Sequence, residues 1–149
     1  MRSILLVKTS SLGDVVHNLP VASDIRARFP EACIDWVVEE AFADIPRLHP
    51  GVRRVIPVAV RRWRRNLLAA ATWGELREYR TAVRSERYDL VLDTQGLIKS
   101  ALLARQAPGR LAGYAAEAAR EPLAARFYDD TYAIPGNLHA VERNRRLAA

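Results

Sequence analysis

The stretch from Arg2 to Pro20 constrains this chain more than any other. An apolar run, Ile4 to Val7, gives way at Lys8 to a polar loop, Thr9-Ser10-Ser11, followed by Gly13, Asp14 and a helical apolar pattern. Such a run bounded by polar residues predicts a buried strand, and the spacing after it predicts a helix. Strand, polar loop and helix start form the repeating unit of an open α/β sheet, whose ligands sit at the carboxyl ends of the strands. Asp14 is the one carboxylate in that loop. It fits a first-turn helix acid favoured by the helix dipole, and it equally fits a general base.

The rest of the chain repeats the alternation. Ile34–Val38, Val55–Val60 and Leu90–Leu92 read as further strands. Val15, Leu19, Ala22, Ile25 and Phe29 recur at helical spacing, with Pro20 inside the pattern. Either Pro20 kinks one helix, or Asn18 caps a second start that has Pro20 in its unbonded first turn. Further helices are expected at about Trp73–Arg87, Leu97–Arg105, Pro122–Tyr128 and His139–Leu147. The fold class that follows is α/β, a Rossmann-like parallel sheet with helices on both faces. Trp36, Tyr88 and Phe127 are expected in or near the core. The last helical pattern has no glycine or proline stop, which fits either a frayed end or an interrupted chain.

With 149 residues the chain has the length of one domain with its own core. No apolar run reaches the roughly 20 residues that span a bilayer, and the start turns polar too soon for a signal peptide. Cys33 is the sole cysteine, so an internal disulfide is excluded and a reducing, cytosolic setting is expected. The formal net charge of +6 points to an anionic partner: nucleic acid, an anionic membrane face or a small acidic substrate. Of 23 basic residues only Lys8 and Lys99 are lysines. That bias fits genomic base composition, and it fits bidentate guanidinium binding of phosphate or carboxylate.

Two familiar nucleotide signatures are missing. No Gly-x-Gly-x-x-Gly follows the first strand, and no Gly-x4-Gly-Lys-Ser/Thr occurs, so a standard dinucleotide or P-loop site is not expected. Glu39 and Glu40 end the second strand, but an acid there binds a ribose in the company of the missing glycines. In the first loop, Thr9, Ser10 and Ser11 offer hydrogen bonds, Gly13 allows close backbone approach, and Lys8 anchors an anion or pairs with Asp14. After the third strand comes Arg61-Arg62-Trp63-Arg64-Arg65. On a helix these four arginines span an arc of about 160° with Trp63 opposite, so the tryptophan packs while the arc faces a ligand or solvent. Asp93-Thr-Gln-Gly-Leu-Ile-Lys-Ser100 is a third loop, with Gln95 and Lys99 placed to reach the same crevice. In a fourth, Ala119-Arg-Glu-Pro-Leu123, Arg120 lies beside a helix start. His17, His49 and His139 are scattered, and no metal-ligand spacing appears.

Taken together, Val7 to Pro20, Asp35 to Glu40, Val55 to Arg65, Asp93 to Ala101, Ala119 to Ala124 and His139 to Arg143 resemble the lipopolysaccharide heptosyltransferases of glycosyltransferase family 9. The resemblance runs nearly the whole length in the same order, and the Arg-Arg-Trp-Arg segment favours the first heptosyltransferase over the related second one. It implies the N-terminal, acceptor-binding half of a GT-B glycosyltransferase, residues 1–149, with the C-terminal donor-binding domain absent from this chain. It implies inverting transfer of heptose from ADP-heptose to the first Kdo of Kdo2-lipid A, with Asp14 as general base. Arg61, Arg62, Arg64, Arg65 and Arg120 would hold acidic groups of the acceptor, with Ser11, Gln95 and Lys99 as further contacts. No metal and no cofactor beyond the sugar-nucleotide donor is implied. The expected setting is a monomer on the cytoplasmic face of the inner membrane, touching it peripherally and binding no nucleic acid. This half alone is expected to bind acceptor without turnover. The competing reading is a stand-alone basic module for nucleic acid or anionic lipid.

Overall fold

The computed structural model describes residues 1–135 and 138–149. Its first half runs β1 (Ser3–Val7), α1 (Leu12–His17), α2 (Leu19–Arg28), β2 (Cys33–Glu39), α3 (Asp44–Arg47) and β3 (Val52–Val58). The second half runs α4 (Val60–Arg65), α5 (Ala70–Arg84), β4 (Leu90–Asp93), α6 (Ile98–Arg105), β5 (Leu111–Tyr114), β6 (Asp130–Tyr132) and α7 (Ala140–Ala148). Short 3-10 turns occupy Glu40–Phe42 and Pro122–Phe127. The last of these was expected as an α-helix; Pro122 starts it, but only six residues fit before the chain re-enters the sheet.

The strands pair in parallel in the order β3-β2-β1-β4-β5-β6, which is the Rossmann order. Every crossover is covered by a helix or helical turn, so both faces of the sheet are buried. One face packs Leu5, Val7, Ile56, Val58 and Val91 against Trp63, Tyr79, Val83, Leu103 and Ala104 of α4, α5 and α6. The other packs Ile4, Leu6, Ile34, Trp36 and Val38 against Val15, Val21, Ala22 and Ile25 of α1 and α2 and Leu147 of α7. This explains why β1 is apolar at every position: alternate residues serve opposite cores.

Local rules account for the boundaries. The chain breaks between α1 and α2 at Asn18, leaving Pro20 in the first turn of α2, where a missing N–H costs no helical bond. The Asn18 side chain makes no cap hydrogen bond, so the second of the two sequence readings holds in backbone but not in side chain. The third strand lies three residues earlier than Val55 because its arginines are part of a network, not a loop. Buried Asp35 on β2 accepts bonds from Arg53 Nε at 3.0 Å and Nη2 at 2.8 Å, from Arg54 Nη2 at 3.2 Å and from the Tyr88 hydroxyl at 2.6 Å. Arg53 also pairs with Glu86 beyond α5. Helix α5 likewise begins and ends three residues before the expected span. β5 and β6 have no counterpart in the sequence reading: one is Leu-Ala-Gly-Tyr, the other three residues at a sheet edge.

Removing the carboxylate from this cluster leaves two guanidiniums and a phenol facing a buried void. Because both guanidiniums are partly exposed and only the Tyr88 hydroxyl is stranded in the interior, Asp35→Ala is expected to destabilise the fold by about 1–3 kcal/mol, read as a lower urea midpoint with an unchanged slope.

Candidate functional site

The chain leaves β1 toward the face of α1 and leaves β4 toward the face of α6. Neighbouring strands whose connections diverge leave a crevice between their carboxyl ends. The first and third loops identified in the sequence flank that crevice, and Asp14 lies at its rim. Asp14 is the third residue of α1 and half-buried. Its Oδ2 accepts the Ser11 backbone N–H at 3.2 Å and the Ser11 hydroxyl at 3.3 Å. Among the described residues Oδ1 accepts no hydrogen bond. The helix-acid reading is met by the oxygen that holds the loop, and the other oxygen is left without a protein donor.

Gln95 has a different task from the ligand contact expected of it. Its Oε1 accepts both the Thr9 N–H at 2.8 Å and the Thr9 hydroxyl at 2.7 Å, while Nε2 reaches the Ser10 hydroxyl at 3.4 Å. Gln95 and Thr9 are buried and hydrogen-bonded to each other, and Gln95 also borders a polar hollow behind Asp14. Gln95 is itself set by Asp93, the last residue of β4. That buried carboxylate accepts the Gln95 N–H at 2.9 Å, the Ser100 hydroxyl at 2.8 Å, the Gly96 N–H at 3.4 Å and the Tyr128 hydroxyl. Burial pushes the Asp93 carboxyl above its ordinary range, and these donors pull it back. Gly96 sits at φ +73°, a left-handed position that lets the turn close. By contrast a Cβ on Gly13 would meet nothing within 4 Å, so no protein contact demands glycine there.

Behind Asp14 lies a polar hollow of about 40 Å³ lined by Lys8, Gln95, Tyr114, Arg120, Arg143 and Asn144 among others. Lys8 is buried there, its ammonium donating to the Thr94 carbonyl at 3.0 Å. Burial lowers its pKa to about 8, with Asp14 and Asp93 opposing the shift. Lys8 thus faces the acid across the hollow instead of reaching out to an anion in solvent. The indole N–H of Trp36, wholly buried, donates to the Lys8 carbonyl at 3.1 Å and fixes the strand end. Arg143 reaches from α7, its guanidinium 5.0 Å from the centroid of the Tyr114 ring and donating to the Ala118 carbonyl. Tyr114 in turn donates to Asn144 at 2.7 Å. Arg143 lies in the His139 to Arg143 motif, yet composition alone carried no sign of its place beside β5. Arg120 is exposed at the rim of the hollow.

The arginine segment is helical, and Trp63 points inward as the arc predicts. Its ring is buried and its N–H donates to Glu75 at 2.7 Å. The four arginines divide. Arg62 bonds Glu75 at 2.6 Å and 3.0 Å and Glu40 at 3.2 Å, so it ties α4 to α5 and to the end of β2 and is not free for a ligand. Among the described residues Arg61, Arg64 and Arg65 are exposed and form no ion pair. Glu39, dismissed as a ribose ligand, instead accepts the Val60 N–H at 3.0 Å and starts α4. Burial raises its pKa, and that backbone bond and Lys99 lower it. Lys99 borders the groove between α4, α5 and α6 and is not among the residues lining the hollow. Among the described residues no cluster of three His, Cys, Asp or Glu side chains could hold a metal ion, and no helix is long and apolar enough to cross a membrane.

The parallel sheet in Rossmann order thus sets an acid, Asp14, at its switch-point crevice. The model of glycosyltransferase family 9 (heptosyltransferase) matches residues 76–149. Lipopolysaccharide heptosyltransferase 1 of Pseudomonas aeruginosa is 52% identical over 147 residues, covering 98% of this chain and 41% of that protein. The Escherichia coli K12 protein of the same name is 50% identical, again over 98% of this chain, and 46% of that protein is covered. A solved E. coli heptosyltransferase with ADP superposes with TM-score 0.95 at 48% identity, covering 98% of this chain and 46% of that one. The chain is thus similar to glycosyltransferase family 9 along its second half and to heptosyltransferases along nearly its whole length, and it spans less than half the length of the curated relatives it matches.

Two measurements test the site's internal order. Because folded Lys8 titrates near 8 and an unfolded lysine near 10.5, the unfolded state binds more protons between those values, and stability rises with pH there. Relative to Lys8→Met, the wild type should gain stability from about pH 8 to pH 10.5 and stay flat below. Gln95→Leu strands the buried Thr9 N–H, at a cost of about 1–3 kcal/mol, and the Thr9 amide should exchange its hydrogen faster.

Proposed function

We propose that this chain is the N-terminal, acceptor-binding domain of an inverting heptosyltransferase. The whole enzyme would move L-glycero-D-manno-heptose from ADP-heptose to the first Kdo of Kdo2-lipid A. The observation that carries the reading is the divided role of Asp14, with one oxygen held by Ser11 and the other open at the switch-point crevice. In the transfer, Oδ1 of Asp14 takes the proton from the acceptor hydroxyl. The freed oxygen attacks the anomeric carbon, its bond to the phosphate breaks on the opposite side, and ADP leaves with the electron pair. Attack from the face opposite the leaving group inverts the sugar. The donor would be held mainly by polypeptide outside this chain, so the chain alone should bind acceptor without turnover.

The acceptor carries carboxylates and phosphates, and the exposed guanidiniums suit both. Arg61, Arg64 and Arg65 would meet them on α4 and Arg120 on the other side of the crevice. Arg143, which sequence reasoning did not single out, would back the hollow, and Arg62 would keep α4 in place. A hollow of about 40 Å³ takes a single polar group, so the sugars would lie across its mouth. Free basic residues around this end also fit a peripheral, monomeric enzyme at the cytoplasmic face of the inner membrane. Sequence similarity to heptosyltransferase 1 in particular, together with the arginine segment, supports the first heptose addition over the second.

Asp14→Asn in a full-length enzyme keeps the shape and the Ser11 contact but removes the base. Transfer should fall by about 10²–10⁴-fold while acceptor affinity stays within about threefold. Transfer at the wild-type rate would refute the assignment of Asp14.

A further inference from the structure

Between α4, α5 and α6 lies a groove of about 1020 Å³, at the top of the roughly 300–1,000 Å³ typical of small-molecule sites. Its walls are mostly hydrocarbon: Leu67, Trp73, Leu76, Ile98, Leu102 and the edge of Trp63. Leu67, Trp73 and Leu102 are each about half exposed, and Leu68 beside them is wholly exposed. Large apolar side chains gathered in one open trough mark a surface with an occupant.

The rim says what kind. Arg64, Arg77, Arg80 and Lys99 border the groove against a single acid, Glu121, whose carboxylate accepts the Ile98 N–H at 3.1 Å. Among the described residues Arg64, Arg77 and Arg80 make no ion pair. An apolar trough edged by unpaired cations is complementary to an amphiphile with an anionic head and a hydrocarbon tail. Leucine, tryptophan and arginine together are also the composition of segments that meet lipid.

The groove is continuous with the arginine helix. Trp63 and Arg64 belong to both, so a ligand whose acidic head rests on α4 has its tail directed along α5 and α6. We propose that this groove is an acyl-chain subsite that seats the hydrocarbon tail of the acceptor lipid while the α4 arginines hold its headgroup. The proposal rests on the acceptor reading above and adds to it the part of the lipid that does not react. Binding the tail draws the acceptor partly out of the bilayer and sets its sugars across the crevice at Asp14.

The test uses the chain itself with hexyl, octyl and decyl phosphate, each below its micelle concentration, and with inorganic phosphate and deacylated Kdo2-lipid A as tail-free probes. Binding is read by calorimetry and by tryptophan emission. Affinity for the alkyl phosphates should rise about fourfold per added methylene, with a blue shift as Trp73 is covered. Leu102→Glu and Leu67→Glu change exposed positions that the fold does not need. Each should weaken decyl phosphate at least tenfold and leave deacylated Kdo2-lipid A unchanged. A flat chain-length series, or decyl phosphate binding that ignores both substitutions, would overturn the subsite. So would binding confined to phosphatidylglycerol vesicles, which marks a bilayer contact and not a tail seat. If the series rises but deacylated Kdo2-lipid A does not bind, the groove stands and the acceptor reading falls.

Discussion

β1 is hydrogen-bonded along both edges, to β2 and to β4, and packed on both faces, and the crevice with Asp14 is built from its end. A strand so enclosed has no freedom of register, because a one-residue slip exchanges every side chain between the two cores. The loop that follows therefore starts from a fixed point. Trp36 holds the carbonyl of Lys8, Gln95 holds both polar groups of Thr9, and Ser11 with Asp14 closes the turn into α1. The acid at the crevice is positioned by a chain of hydrogen bonds that begins in the centre of the sheet.

The same economy appears on the far side of the crevice. Asp93, at the end of β4, is a buried acid that touches no solvent, yet its four donors shape the turn that presents Gln95. Tyr128 reaches it only because residue 113 is glycine: a Cβ there would lie 2.2 Å from the tyrosine ring. Small and buried residues thus decide where the groups at the crevice stand. Buried polar networks of this kind are rigid when complete and costly when one member is lost.

What was legible in the sequence follows the range of the interactions involved. The first loop, the arginine helix with Trp63 inward, and the parallel α/β class rest on periodicity and on neighbours within a turn, and they appear as read. β5 and β6 escaped because Leu-Ala-Gly-Tyr carries little β-branching and Asp130–Tyr132 is too short to show a period. The start of β3 escaped because Arg53 and Arg54 look like a loop until Asp35 is placed beside them. The tie between Gln95 and Thr9 is not legible in the sequence because the two lie 86 positions apart. A polar side chain in a loop advertises a hydrogen bond, but only the fold reveals which group receives it.

The bridging of Glu40 and Glu75 by Arg62 has a consequence for how such a segment can drift. Three positions on three elements share one planar cation, and a lysine, with a single point charge, cannot address two carboxylates edge-on. Loss of either acid frees the guanidinium and loosens α4, and loss of the guanidinium sets two acids beside an otherwise basic helix. The three positions therefore act as one mechanical unit, whereas Arg61, Arg64 and Arg65 carry no such tie among the described residues. Within five residues the chain holds both a joint that locks a helix to its neighbours and guanidiniums left open to solvent.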